Sequence, residues 1–439
     1  MSDYRPLLFQ KTYLPAIYFY AISLTIITPH FANAAAFADH EQGATGSGTA
    51  LAGVAAASDD ISLSYWNPAL LTNTNKTALY INGSYVSPDF NVSNINATDA
   101  STLYTSSNSG SDPGRSALLP SLYFATPISS KAILGISLNV PFAVSSQYDD
   151  DWAGRYYSTK NEVKDVALAF TGAYRFNDSL DLGASLQLHQ SRITLETAIN
   201  NFDGSSSYGQ GKIDLEDDLA YGYAFGLRAK LGPRMQLGLG YRSQVTFNHT
   251  GSATFSDLSL TAQAAPYNIS NTNASADNTL PDILTISVSQ TINPSITLAL
   301  TAMKTGWHSI QSLDINFDNE QNNSVLPLNY HDSWLYAIGL NYRYSSSLVL
   351  RGGYAIDHAP TTENNTSPIA PESDRQWFTL GGSFSFTPTN HLIFAYTQMN
   401  ADKVKVDQDG QGDNLGKGEF SGDYQITVNS LSLAFSHQF

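Results

Sequence analysis

The side chains able to do chemistry are few in type and poorly spaced for it. Nine histidines are scattered without H-x-x-x-H or similar ligand spacing, so histidine offers no metal site. Asp407, Asp409, Gly412 and Asp413 follow part of a calcium loop. Its twelfth, acidic position is held by Gly418, and Glu419 comes one residue late. Asp149, Asp150 and Asp151 read most simply as an exposed acidic turn. There is no cysteine, which removes thiolate metal sites and disulfides. Serine is abundant, yet no G-x-S-x-G elbow marks one as a nucleophile, so an outer-membrane lipid hydrolase would lack its motif. The chain reads as a non-enzyme without a cofactor.

Charge excludes a further class. Charged residues make up 14% of the chain and leave a formal net charge of −16, so nothing could neutralise a run of phosphates. Nucleic acid is not a partner. The 25 Tyr, 21 Phe and 5 Trp, together with 31 Gly, suit a membrane barrel, whose outer face carries aromatic girdles and whose inner face is small or polar. A secreted soluble sandwich has a similar composition, so the decision falls to the order of elements.

Arg5 and Lys11 precede an apolar stretch from Leu14 to Ile27, which leads to the small residues Ala32-Asn33-Ala34. This pattern predicts a secretory signal peptide over 1–34, cleaved after Ala34 or after Ala36. The run between Pro15 and Pro29 is too short for a membrane anchor, and no later stretch approaches the ~18 apolar residues of a spanning helix. Residues 35–76 are rich in Gly, Ala and Ser without two-residue alternation, which predicts short helical turns and close-packed loops.

From Thr77 the period becomes two. Leu180, Leu182, Ala184, Leu186 and Leu188 alternate with Asp181, Gly183, Ser185, Gln187 and His189, and Trp334, Tyr336, Ile338, Leu340 and Tyr342 repeat the pattern. Such alternation gives each strand one apolar face. About fourteen strands follow, and their connections alternate in length. Short turns near Asn177-Asp178, Gly232-Pro233 and Asn293-Pro294 separate long polar loops near 88–116, 143–160, 198–212, 257–279, 317–327, 358–373 and 405–423. Short periplasmic turns and long extracellular loops belong to an outer-membrane barrel, with both chain ends periplasmic. The expected fold is therefore all-β: a 14-stranded antiparallel transmembrane β-barrel over 77–439, in the outer membrane of a Gram-negative bacterium. Outer-membrane lipid and lipopolysaccharide would face its wall. The last strand, with Leu431, Leu433 and Phe435 on one face and Phe439 at the end, resembles the signal read by the barrel-assembly machinery.

Asp59-Asp60 followed by Asn67-Pro68-Ala69 resembles the hatch signature of FadL-type fatty acid and hydrocarbon transporters. Further matches are Gly172-Ala173-Tyr174-Arg175-Phe176-Asn177, Tyr241-Arg242-Ser243, Leu280-Pro281-Asp282 and Asp374-Arg375-Gln376-Trp377, in order along the mature chain. The resemblance implies that residues 35–76 form a hatch plugging the barrel. It also implies passive uptake of a hydrophobic small molecule, with lumenal binding and lateral release through a gap in the wall. A general porin-like channel is the alternative, although an open pore needs no plug. Pro141, followed by Phe142, lies in the third strand, the one kinked in this family. Having no N–H, it would either break the ladder there or simply end the strand. Asn67 would be its hatch-side partner, its amide offering donor and acceptor; Asn67-Pro68 also suits a plain turn. Phe37 matches the aromatic that such hatches insert into the ligand pocket.

The basic residues that fatty-acid importers of this type use for the carboxylate are not matched. One position falls on Thr197, inward by alternation while Arg192 points outward; the second falls near His331, also inward, where a histidine could pair with a carboxylate but is only partly charged at neutral pH. The third long loop is short and hydrophilic, offering little for an apolar landing site. A neutral hydrocarbon therefore stands beside a fatty acid as the expected ligand.

Overall fold

In the computed structural model, residues 38–57, 59–98, 105–362 and 366–439 are described. The expected leader and Phe37 lie outside them. Antiparallel strands close into one barrel of fourteen staves. They are β1 (Ala78–Thr98), β2 (Ala117–Pro127), β3 (Ala132–Gln147), β4 (Lys160–Arg175), β5 (Leu180–Asn200) and β6 (Tyr208–Lys230). Next come β7 (Met235–Arg242 and Val245–Ser256), β8 (Thr272–Leu280 and Ile283–Asn293) and β9 (Ile296–Thr305 and Ser312–Phe317). The circuit ends with β10 (Ser324–Pro327 and Ser333–Arg343), β11 (Leu348–Asp357), β12 (Arg375–Thr387), β13 (Asn390–Ala401 and Val404–Gln408) and β14 (Phe420–Gln438). The first strand pairs with the last, from Ala78 opposite Gln438 to Ala97 opposite Phe420, so the sheet closes on itself.

The alternation read from sequence is the lipid-facing pattern. Leu182, Leu186, Phe225, Leu300, Tyr336, Ile338 and Leu433 are exposed on the outer wall, while Asp181, Ser185 and Gln187 turn inward and are buried. Spanning strands are forced into this form because a backbone in hydrocarbon must pair every polar group within the protein. Several strands run well beyond their apolar section. The sequence places a loop from residue 88, yet β1 continues to Thr98; it places one from 405, yet β13 continues to Gln408. Above the lipid, the outward face need not be apolar, so the ladder persists after the alternation has gone.

The described residues between 38 and 76 pack inside the barrel. They form one helical turn, α1 (Ala44–Ser47), and two three-ten turns, Ile61–Tyr65 and Pro68–Asn73. Asp60 and Asn67 cap the two three-ten turns, accepting from the N–H of Ser62 and of Ala69. The plug backbone lies so close to the wall that a side chain has no room at some inward positions. A Cβ on Gly183 would sit 2.4 Å from the Pro68 carbonyl carbon, and one on Gly240 would sit 1.9 Å from the Trp66 oxygen.

Candidate functional site

The site begins with a break in the ladder. β2 and β3 pair from Pro127 opposite Ile133 up to Leu122 opposite Leu138. Above that, among the described residues, β2 pairs with β1 and not with β3. The pairing of β3 with β4 also slips between Asn139 and Phe142, at Val140-Pro141. This is the place where a residue without an N–H would be expected to spoil pairing. From Asn139 to Ser146 every residue of β3 is buried, so the strand has left the alternating wall and protein covers both its faces. Contact with β2's side resumes higher up, where Gly114 bridges Ser146. Between these two limits lies a window, with Pro120 on its β2 side. That second proline also has no N–H to leave unpaired.

The tip of the hatch occupies the lower part of this window. Gln42 Nε2 donates to the Val140 carbonyl at 2.7 Å, and its Oε1 accepts from Asn139 Nδ2 at 3.0 Å. Its backbone carbonyl accepts from Ser121 Oγ at 2.9 Å and Tyr123 Oη at 2.7 Å. One residue thereby joins β2 to β3 across the missing ladder. The Asp39 N–H adds a bond to the Pro141 carbonyl at 2.9 Å, and Ala38 bridges Phe142.

Asn67 does not hold this position. Its Nδ2 donates to the carbonyls of Leu227, on β6, at 2.9 Å and of Ala55 at 2.6 Å, and its Oδ1 accepts from the Ala69 N–H at 3.0 Å. Asn67, Pro68 and Ala69 are buried against β5–β7 instead, where arginines grip the hatch. Arg228 is fully buried, pairs with the fully buried Asp181 and donates to Thr72 Oγ1 at 3.0 Å. Arg175 donates to the Thr72 carbonyl. Arg242 donates to the Tyr65 carbonyl at 2.8 Å and stacks 3.9 Å from the Tyr65 ring centre. Arg351, on β11, reaches Asp59 at 3.3 Å. The residue spanning the kink is therefore Gln42, which no local pattern singled out.

On the lumenal side of β3, a small pocket is lined by Val144 of β3, Phe90 of β1, Ile426 and Val428 of β14, Met399 of β13, and Ile369. Arg375 and Glu372 also line it, and Arg375 is ion-paired to Asp357 at 3.0 Å and faces Glu372 at 4.0 Å. At the long-loop end lies a larger groove of about 470 Å³, lined by Leu195, Ile199, Phe202, Phe255, Tyr267, Ile315 and Phe317. The third loop is as short as expected. It nonetheless contributes Phe202, stacked on Tyr267 of the fourth loop with ring centres 3.8 Å apart. Thr197 lines this groove. His331 does not: it precedes the main segment of β10, is exposed, and gives its N–H to the Pro360 carbonyl. Alternation fails as a guide there because the chain is not yet a strand.

Known proteins share this architecture. A profile described as "Outer membrane protein transport protein (OMPP1/FadL/TodX)" matches residues 25–439. Outer membrane protein P1 of Haemophilus influenzae is 27% identical over 409 residues, covering 85% of this chain and 87% of its own. The long-chain fatty acid transport protein of Escherichia coli O6:H1 is 24% identical over 446 residues, covering 94% and 97%. The crystal structure of a Pseudomonas aeruginosa FadL homologue superposes with a TM-score of 0.85 at 23% identity, covering 92% of this chain and all of the other. With a plugged fourteen-strand barrel and a profile match over nearly its whole length, the chain belongs to the FadL/TodX family of outer-membrane transport proteins.

Proposed function

We propose that the protein takes up hydrophobic small molecules passively, receiving them in the loop-end groove, holding them in the pocket beside β3 and releasing them sideways between β2 and β3. The observation that carries this reading is the interrupted β2–β3 ladder, spanned by Gln42, beside a β3 segment whose Val144 lines the pocket. The axial route is obstructed by a hatch that four arginines hold against the wall. The lateral route also suits the cargo. Each CH₂ moved from water into hydrocarbon is worth about 0.8 kcal/mol, so an apolar molecule gains by entering the bilayer rather than the periplasm.

The test is to straighten β3 by deleting Val140 and replacing Pro141 with Ser, then to follow uptake of a radiolabelled hydrophobic probe into cells. Heat-shifted gel mobility would verify that the variant barrel folds. Uptake is expected to fall to the level of cells lacking the protein. A folded variant with unchanged uptake would overturn lateral release.

A further inference from the structure

The outer wall of β4, β5 and β6 changes character row by row, in register. Leu168, Leu188 and Tyr221 are cross-strand neighbours in one outward row, and Tyr221 is exposed. Tyrosines on such walls mark the membrane surface. Four residues farther toward the long loops on β4 and β5, the row reads Lys164, Arg192 and Glu216. At about 3.3 Å per residue and a strand tilt of about 40°, these charges stand roughly 10 Å above the Tyr221 row, at headgroup height. Two more charged rows follow: Glu162, Thr194 and Asp214, then Lys160, Glu196 and Lys212. The charge stops at β7, where Thr250, Ser252 and Thr254 stand opposite Glu216, Asp214 and Lys212.

In the upper rows cations are matched with acids. Lys160 lies 3.2 Å from Glu162, and Asp214 lies 3.6 Å from Lys212. The lowest row departs from this, because Lys164 and Arg192 are two cations directly opposite each other on paired strands. Like charges in that position weaken a sheet. Asp214 engages Arg192 at 2.8 Å from the row above, yet the guanidinium remains 59% exposed. An anion bound between the two cations would relieve their repulsion, and phosphate suits the planar guanidinium fork.

We propose that this face is a docking surface for lipopolysaccharide, one phosphate of its acylated sugar head seated between Lys164 and Arg192. Its acyl chains would lie below, along Leu168, Leu188 and Tyr221. The wall runs from apolar to cationic to mixed polar, which is the order of that lipid from chains to phosphorylated sugar. Acids beside the cations are compatible with it, since a divalent cation joins carboxylate to phosphate oxygens. A protein partner would want an apolar centre to its contact, and the three charged rows contain no large apolar side chain.

The test is native mass spectrometry of the purified protein in detergent, titrated with lipid A carrying both phosphates or with the same lipid dephosphorylated. Wild type is expected to bind the phosphorylated form about tenfold more tightly. The double variant Lys164→Gln, Arg192→Gln should lose about tenfold for that form and less than about twofold for the other. Lys164→Arg should stay within about twofold of wild type, as should a control variant, Lys403→Gln, Lys405→Gln, which alters cations beside β14. Heat-shifted gel mobility would verify folding. Equal binding of the two lipids by wild type would overturn the phosphate seat. Undiminished binding by the folded double variant, or an equal loss in the control, would overturn it too.

Discussion

The two flanks of the hatch are held by different chemistry. Residues 59–73 are gripped by charge and by backbone contact: arginines from β4, β6, β7 and β11 reach them, and the wall gives up side chains at Gly183 and Gly240 to let them in. Residues 38–42 meet β2 and β3 chiefly through neutral hydrogen bonds from one glutamine, flanked by the Asp39 N–H. A buried arginine that donates to a hatch carbonyl or hydroxyl cannot be released without leaving its charge short of partners, whereas an amide can exchange its partners for water or for another amide. The contrast predicts a fixed root and an exchangeable tip, with the tip at the window.

The largest effect should come from breaking the root. Asp181 is the acceptor for Arg228, with Lys230 and Arg175 also near it. Asp181→Asn would leave the buried Arg228 cation without its counter-charge, and a loss of about 3–5 kcal/mol is expected in urea-induced unfolding from phospholipid vesicles. Gly240→Val comes next. Its Cβ would overlap the Trp66 carbonyl, so the hatch must shift at a cost of about 3 kcal/mol. Amide hydrogen exchange across 59–73 should rise in this variant. If exchange rose first at 38–42 and left 59–73 protected, the root would not be the fixed part.

How much of this was legible in the sequence depends on which force wrote each feature. Lipid demands an apolar residue at every second outward position, so strands and their facing are readable in runs such as Leu180–Leu188. The pressure ends with the membrane, which is why the upper parts of β1 and β13 read as loop. Pro141 could be singled out because its missing N–H is a property of one residue, and it falls where the β3–β4 register slips. Gln42 was not: it works by joining strands that lie far away in the chain, and a glutamine among small residues carries no local mark. Asn67 has the right chemistry for satisfying backbone groups but faces Leu227 on β6, since sequence alone does not say which wall a hatch turn will meet.

Gln42→Leu is the sharpest probe of the tip. It would leave the Val140 carbonyl without Gln42 and take one of two acceptors from Asn139 Nδ2, which keeps Tyr123 Oη; with the lost bonds this amounts to about 2 kcal/mol. The loss should be local. Exchange at 38–42 and 139–145 is expected to rise while 59–73 keeps its protection. Loosening of both flanks together would show that the hatch moves as one body.

The smallest effect tests whether charge by itself defines the root. Asp59 pairs with the buried Arg351 at 3.3 Å, but its own side chain is 38% exposed, so water reaches the pair from that side, and an Asn at 59 would keep an oxygen for the guanidinium. Asp59→Asn should cost less than about 1 kcal/mol in the same urea titration and leave exchange at 59–73 within error. The comparison of flanks would then rest on burial, with the bond from Arg228 to Thr72, its charge balanced by Asp181 in the wall, carrying what Arg351 and Asp59 do not. If Asp59→Asn proved as costly as Gln42→Leu, the outer ion pair would be holding the hatch as firmly as the tip does. The root would then be a distributed electrostatic contact that weakens with salt, a response that the fully buried Arg228–Asp181 pair should not share.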